Sequence, residues 1–225
     1  MEEDCLQSLS FSRLGYRQRS IQRVFNGTCT WLFEQDKYKA WINRDDVEKH
    51  LGLLRIIGGV GTGKSTLMNE AYLAAQQVPN KDNKRIIAGY FAYRGVEPME
   101  RSTGGMIRTL LLQILPKHKI MMDDLVSIYN TRSSQQGTTW QWTAEELFAF
   151  MEKHLIKSGG TAFYIFIDGL DEFVEDEARH LVLYFRKLTI TGSAIGANIN
   201  VSLSSRYYPS ISAPLCPEIT VETEN

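Results

Sequence analysis

Several features that mark particular classes of protein are scarce or absent in this chain of 225 residues. The sequence has only three cysteines, Cys5, Cys29 and Cys216, and they lie far apart. Their number and spacing argue against a disulfide framework or a zinc site and favour a reducing compartment, so we expect a cytoplasmic protein. No apolar run approaches the roughly 18 residues of a membrane-spanning helix, and the acidic residues 1–4 are unlike a secretory signal.

An excess of charge of one sign is also missing, since 25 basic and 26 acidic residues give a net charge of −1. This balance does not favour nucleic acid or an anionic membrane as a partner. The four histidines share no metal-ligand spacing and are more consistent with surface or packing positions than with ligands. The length and the hydrophobic content of 43% suit one sizeable α/β domain rather than two.

The stretch from Gly58 to Ser65 fits G-x-x-x-x-G-K-[ST], the pattern of a phosphate-binding loop. Glycines allow a backbone that turns its N–H groups toward phosphates, Lys64 can bridge the β- and γ-phosphates, and the Ser65 hydroxyl can bind Mg²⁺. Residues 53–57 before the loop are typical of a buried strand, and residues 66–77 after it favour a helix. The predicted nucleotide-binding residues are Gly58, Gly59, Val60, Gly61, Thr62, Gly63, Lys64, Ser65 and Thr66.

An acidic motif follows the most apolar segment of the chain, residues 162–167. Aromatic and β-branched residues in an unbroken run are typical of a strand that is buried on both faces. Asp168 at the carboxyl end of this strand is the Walker B position. If this strand and the first strand are neighbours or next-neighbours, the carboxylate lies close to the phosphate loop, where Asp168 and Ser65 are the predicted magnesium ligands.

Two further acids, Asp171 and Glu172, come directly after this position. One of them can polarise the water that attacks the γ-phosphate, and we assign this general-base role to Glu172, with Asp171 as the alternative. The competing interpretation is that both acids belong to the negatively charged start of the next helix. Arg206, at the tip of a later strand, is predicted to bind the γ-phosphate as a sensor or to form a surface salt bridge. With Lys64, these are the candidate catalytic residues.

The remaining segments are assigned from periodicity and breaker residues. Residues 1–50 are predicted to be a helical lead-in that packs on the sheet, with helical spacing over 19–33, interrupted at Asn26-Gly27, and over 38–42. Arg17, Thr28 or Cys29 in this lead-in could line the pocket for the nucleotide base, although no motif marks them.

Further strands are expected at residues 86–93, 199–206 and 218–222. Helices are expected to begin at Ser102 or Thr103, at Thr143 with Glu146 as a capping box, and at Glu175. Loops are expected at residues 78–85, 132–137 and 191–197.

With both Walker motifs in place, the sequence resembles a NACHT domain, the switch NTPase module of the STAND class. It is most similar to the fungal NOD-like receptors that include heterokaryon-incompatibility proteins. Asp168-Gly-Leu-Asp-Glu172 and Ser204-Ser-Arg206 carry the resemblance more specifically than the phosphate loop, which many NTPases share. The aromatic strand at residues 90–95 and the lead-in around Cys5 and Cys29 are also similar.

The resemblance implies a three-layer α/β sandwich with a mainly parallel five-stranded sheet, a P-loop NTPase of AAA+/STAND type with an N-terminal helical segment. It implies a lead-in over residues 1–50 and a nucleotide-binding domain over residues 51–225. It further implies ADP or GDP in the resting state, ATP or GTP with Mg²⁺ in the active state, and self-association that triggers fungal immunity or incompatibility cell death. Family members continue into winged-helix and repeat regions, so we expect one module of a longer protein, with weak hydrolysis in isolation.

Two other functions remain open at this point. A P-loop small-molecule kinase would need an acceptor pocket and an arginine-rich lid, and no arginine cluster is visible in the sequence. A module that holds nucleotide without turnover would need only the phosphate loop. The sequence does not separate ATP from GTP, because base selection lies in the N-terminal segment, which carries no motif. A translation-type GTPase is disfavoured, because Asn80-Lys-Asp-Asn83 lacks the final Asp of the N-K-x-D motif.

Overall fold

The computed structural model describes residues 1–21, 29–80, 84–95, 97–137, 140–207 and 216–224, with the side chains of residues 223 and 224 left aside. A five-stranded sheet forms the centre of this part of the chain. Its strands are β1 (Leu53–Ile57), β2 (Arg85–Phe91), β3 (Ala162–Asp168), β4 (Asn198–Ser205) and β5 (Glu218–Thr220).

The strands are parallel and follow the order β2-β3-β4-β1-β5. β4 therefore lies between β1 and β3, with Ile57 opposite Ser205 and Ile167 opposite Leu203. This places Asp168 and the phosphate loop two strands apart at the same edge of the sheet, the next-neighbour arrangement that the sequence allowed.

The side chains of β3 explain why the sheet is covered on both faces. Phe163, Ile165 and Ile167 point into one hydrophobic cluster, and Tyr164 and Phe166 point into the other. Successive side chains of a strand face opposite ways, so an unbroken apolar run needs helices on both sides. The result is the α/β three-layer architecture with a parallel five-stranded sheet that the sequence predicted.

Five helices make up most of the two outer layers: α6 (Lys64–Gln77), α7 (Thr103–Ile114), α8 (Lys119–Gln136), α9 (Ala144–Lys157) and α10 (Glu175–Ala194). The predicted start signals are present, because Ser102 caps α7 and Thr143 forms a capping box with Glu146 at α9. α6 packs on one face of the sheet, and the other four pack on the opposite face.

The lead-in contributes short helices: α1 (Glu2–Leu9), α2 (Tyr16–Ser20), α3 (Thr30–Glu34), α4 (Asp36–Asn43) and α5 (Val47–His50). α1 packs with α7 and α8, whereas Trp41 of α4 lies fully buried against Phe166 on the other face. Within the predicted helical stretch over 19–33, Arg19 and Ser20 belong to α2 and residues 30–33 belong to α3, and the predicted break at Asn26-Gly27 lies outside the described residues.

Three predicted segment assignments differ from the structure. Residues 132–136 continue α8, because Arg132 forms a two-pronged ion pair with Glu146 and stabilises that helix end. α10 extends to Ala194 through most of the predicted loop, since Gly192 fits closely against Ile199. β5 ends at Thr220, which pairs with the last residue of β1, and the helix α11 (Val221–Glu224) follows.

Within the described residues, no helix combines the length and apolar character needed to cross a bilayer.

Candidate functional site

A cavity of about 340 Å³ opens at the carboxyl ends of β1, β3 and β4. Ligands of open parallel sheets bind at this edge. All the predicted site residues except Gly58, Gly59 and Thr62 line the cavity. Residues from the phosphate loop, from the acidic motif and from the strand-tip arginine are therefore brought together, as the sequence motifs predicted.

The phosphate loop depends on two glycines with left-handed backbone. Gly61 and Gly63 have φ angles of 77° and 90°. A Cβ at either position would meet no atom within 4 Å, so these positions need glycine for its backbone conformation and not for space. Gly63 is the N-cap of α6, and the unpaired N–H groups at the start of this helix lie at the cavity.

Lys64 folds back over its own loop in this structure. Its ammonium group donates to the Gly59 carbonyl oxygen and lies 3.4 Å from Thr62 Oγ1. Partial burial lowers the pKa of Lys64, and the charge of Asp171 acts against this effect. The lysine is thus held against its own loop by hydrogen bonds that a phosphate oxygen could replace.

Asp168 is the most deeply buried group of the site, with 1% of its surface exposed. Its Oδ1 atom accepts a hydrogen bond from the Ser204 hydroxyl, whereas its Oδ2 atom is buried without a hydrogen-bond partner. Burial raises the pKa of Asp168, and the hydrogen bond from Ser204 and the nearby Ser65 hydroxyl act in the opposite direction. The structure therefore places the two predicted magnesium ligands, Ser65 and Asp168, next to each other.

The acidic pair is held by arginines. Asp171 accepts from the Arg206 backbone N–H at 3.0 Å and pairs with Arg206 Nε at 2.8 Å. Glu172 lies 3.4 Å from Arg206 Nη2 and 3.3 Å from Arg94 Nε. Burial and the charge of Asp171 raise the pKa of Glu172. Asp171 is thus the more firmly anchored of the two acids.

The predicted base-pocket residues are separated in space. Arg17 lines the cavity, with its guanidinium carbon 5.1 Å from the centre of the Tyr93 ring. Cys29 packs beside the core cluster of α4 and α6 and is not among the lining residues that the structure describes. Thr28 lies outside the described residues.

Three arginines from distant segments surround the acids: Arg17 lies in the cavity wall near Asp168, and Arg94 and Arg206 pair with Glu172. The sequence shows no arginine cluster because these residues come from the lead-in, the end of β2 and the end of β4. Only the sheet order reveals this grouping.

Glu222 at the end of the chain is a site residue that sequence reasoning missed. Its carboxylate accepts from the Gly59 N–H and, at 2.6 Å, from the Tyr207 hydroxyl. Both hydrogen bonds lower the pKa of Glu222. A carboxylate thus lies on an amide of the phosphate loop. No sequence signal marks this contact, because it depends on where β5 ends.

The parallel strand order, the glycine loop between β1 and α6, and the buried aspartate at the tip of β3 together define a P-loop NTPase fold, a nucleotide-binding class of α/β protein. The chain belongs to the family described as Nephrocystin 3, N-terminal, whose model matches residues 27–206. This family differs by name from the NACHT domains that the sequence resembles, and the match does not test that finer relationship.

Among solved structures, the chain is similar to that of C. elegans PCH-2, with 9% identity and a TM-score of 0.36. The alignment covers 98% of this chain and 46% of that one, so the chain spans less than half of the length of this neighbour. A likeness at this level carries no argument about function. No curated protein matches the chain in sequence.

Proposed function

We propose that the chain is the nucleotide-binding switch module of an intracellular, cytoplasmic NOD-like receptor of the fungal type. In this proposal it binds ATP or GTP, hydrolyses it slowly, and exchanges NTP for NDP to control self-association in immunity or incompatibility cell death. One observation carries the nucleotide part: the cavity that joins the phosphate loop to Asp168, the acidic pair and Arg206. The receptor context is carried only by the sequence resemblance.

The residues present fit a magnesium ion. Asp168 Oδ2 is a buried oxygen without a hydrogen-bond partner, and the Ser65 hydroxyl lies beside the same carboxylate. Hard oxygen ligands of this kind, few in number and completed by phosphates and water, are what Mg²⁺ prefers. When bound, the ion would neutralise charge that builds up on the β- and γ-phosphates. Ser65 and Asp168 are the residues that would hold it.

The geometry favours Glu172 over Asp171 as the general base. Asp171 is engaged by both the backbone and the side chain of Arg206, so its role in the proposal is to position that arginine. Glu172 makes only longer ion pairs, and its raised pKa brings it closer to the range in which a base can accept a proton from water.

Arg206 supplies the switch in this proposal. Without nucleotide, it pairs with Asp171 and Glu172. A γ-phosphate offers the same guanidinium a stronger, two-pronged anionic partner. Binding of NTP would therefore move Arg206 toward the phosphate and release the acids, whereas NDP would leave the acid pairs intact. Such a difference between two ligand states is what a conformational switch requires.

The first experiment is to denature the purified protein and identify the nucleotide it releases by chromatography. A stoichiometric adenine or guanine nucleotide is expected, and its identity would settle the choice between ATP and GTP. A protein that carries no nucleotide and binds none on titration with Mg²⁺ would contradict the proposal.

The second experiment separates the switch from the two alternatives. We expect slow phosphate release without any added acceptor, and a shift to larger assemblies in NTP that is absent in NDP. Phosphate transfer that depends on an added small molecule would favour the kinase, for which the three arginines around the acids provide a structural basis. Firm binding without any release would favour a module that only holds nucleotide.

A further inference from the structure

A second cavity of about 340 Å³ lies beneath the lead-in segment of residues 11–19. Its floor is formed by the carboxyl end of β2 and by α7, and Tyr72 of α6 closes one side. Among the described residues, Arg17 alone lines both this cavity and the phosphate cavity. No residue of the phosphate loop contributes to it, so the two spaces are adjacent but separate.

Glu100 is the unusual feature of this cavity wall. The side chain is 4% exposed, and neither of its carboxylate oxygens has a hydrogen-bond partner. Its one recorded ion pair is long, with Arg13 Nε 3.6 Å from Oε1. Burying a carboxylate without hydrogen bonds is costly, so its retention needs an explanation.

The position of this carboxylate is fixed by its surroundings. The Glu100 carbonyl oxygen accepts from the Tyr93 N–H at 3.0 Å, and the Glu100 N–H donates to the Glu97 carbonyl oxygen at 3.0 Å. A Cβ on Gly95 would come within 2.6 Å of Glu100 Oε2, so only glycine allows this close approach. Hydrogen bonds therefore hold the backbone of Glu100 in place, and Gly95 leaves room for its carboxylate.

Asp168 offers a comparison within the same molecule. Asp168 and Glu100 are the two carboxylates, in the part of the chain that the structure describes, that have a buried oxygen lacking a hydrogen bond. The Asp168 oxygen without a hydrogen-bond partner is explained if a ligand of the phosphate site binds it. By the same reasoning, a ligand would supply the hydrogen-bond donors that the Glu100 carboxylate lacks.

The charges around the cavity restrict what that donor can be. Arg13, Arg17 and Arg19 line the cavity, so a cationic ligand would be repelled, and an anionic group placed beside Glu100 would be repelled by its carboxylate. A neutral molecule with N–H groups satisfies the carboxylate without either penalty. The two carboxylate oxygens, which lack hydrogen bonds, can accept two parallel N–H bonds, and this two-pronged geometry makes such contacts selective.

The side chains in the cavity wall restrict the shape of the ligand. Phe11, Tyr72, Tyr90 and Phe91 contribute aromatic surface, and the guanidinium groups of the lining arginines are themselves planar. Aromatic and guanidinium faces stack well on flat rings, and the volume lies within the range of small-molecule pockets. We propose that this cavity binds a neutral, planar heteroaromatic molecule whose edge presents two parallel N–H donors to Glu100.

Guanosine is the probe, because N1–H and the 2-amino group of guanine form such an edge. Inosine is the matched control ligand, since it keeps N1–H and lacks only the 2-amino group. In ligand-observed NMR titrations, the wild-type protein should bind guanosine about 10- to 100-fold more tightly than inosine, the value of one added hydrogen bond to a charged group.

Glu100→Gln should remove this preference, because a side-chain amide offers only one acceptor oxygen. Glu97→Gln is the matched control variant, since it makes the same change in the same turn outside the cavity, and it should retain the preference. Both titrations use nucleosides without phosphates, so they do not depend on whether the phosphate loop binds nucleotide.

Three results would overturn the proposal. The first is the absence of any preference for guanosine over inosine in the wild-type protein. This measurement does not depend on the folding of a variant. The second is an unchanged preference in Glu100→Gln. The third is displacement of guanosine by saturating NTP and Mg²⁺, which would place the nucleoside in the phosphate cavity instead.

Discussion

The two cavities have similar volumes but handle buried charge differently. In the phosphate cavity, Asp171 and Glu172 are paired with arginines, and only Asp168 keeps an oxygen without a partner. In the cavity beneath the lead-in, Glu100 has one long ion pair and both of its oxygens lack hydrogen bonds. In the first cavity most of the acid charge is thus paired and one carboxylate oxygen is unsatisfied without a ligand, whereas in the second cavity both oxygens of the carboxylate are unsatisfied.

The two cavities therefore contain two kinds of acid: acids that pair with arginines, and acids with buried oxygens that lack hydrogen bonds. Acids that already pair with arginines can exchange those partners when a phosphate arrives, which suits a switch. Acids whose oxygens are orphaned destabilise the ligand-free fold and are expected to gain most from a ligand. The variants below test this distinction.

The largest effect is expected from Lys64→Ala. Lys64 is the cation of the phosphate loop, and losing its charged hydrogen bonds to two phosphates should weaken NTP binding by about 10²- to 10⁴-fold. Calorimetry with NTP and Mg²⁺ measures this loss, and Lys157→Ala, a change of an exposed helical lysine, should have no effect. Unchanged affinity in Lys64→Ala would reject the assignment of the phosphate loop.

Glu172→Gln should leave NTP affinity within a few-fold and slow turnover by about 10²-fold or more, because the general base is lost. Asp171→Asn should have a different signature, since it frees Arg206 and alters the preference for NTP over NDP. Single-turnover hydrolysis and binding assays of both variants separate these roles. Equal turnover in Glu172→Gln and the wild-type protein would move the base to Asp171 or deny the role altogether.

Asp168→Asn should stabilise the ligand-free protein. In the wild-type protein, burial raises the pKa of the Asp168 carboxyl group, so the folded state binds the proton more tightly than the unfolded state does. The wild-type free energy of unfolding therefore falls as pH rises above the ordinary pKa of an aspartate, and this loss is complete above the raised folded-state pKa.

Near neutral pH, the Asp168→Asn variant should be more stable than the wild-type protein by about 1–3 kcal/mol in the absence of nucleotide and Mg²⁺. The difference should vanish in acid, below about pH 4, where the carboxyl group is protonated in both states. Urea unfolding at several pH values tests both statements. A variant that is less stable near neutral pH would show that the carboxylate is satisfied in the folded protein.

The smallest effect is expected from Glu222→Gln. The Glu222 carboxylate accepts from the Gly59 N–H, and its negative charge acts on Lys64 of the phosphate loop. Weakening this exposed contact should tighten NTP binding by about threefold. Glu218→Gln on the neighbouring strand, which instead removes a pair with Arg55, should not tighten binding. Weaker binding in Glu222→Gln would mean that this carboxylate supports the loop.

The contrast between the cavities also explains what the sequence could predict. The loop from Gly58 to Ser65 is contiguous, and its chemistry follows from local backbone requirements. Asp168 could be placed because an apolar run identifies a central strand, and parallel strands end at one edge.

Glu100, Arg94 and Glu222 could not be placed, because each acts through a partner far away in the chain. Their roles depend on the strand order and on where β5 ends, and neither leaves a local pattern. The helices that run through residues 132–136 and 191–194 were missed for a related reason. Contacts with Glu146 and Ile199 stabilise segments whose own composition suggests loops.

The central claim is that a triphosphate and its metal ion lie between the phosphate loop and Asp168. The most direct test is the ratio of NTP affinity with Mg²⁺ to that with EDTA, measured by calorimetry for the wild-type protein and for Asp168→Asn. The account predicts a large ratio in the wild-type protein and a ratio at least about tenfold smaller in the variant, which keeps the loop but loses the anionic ligand. Equal ratios in the two proteins would contradict it.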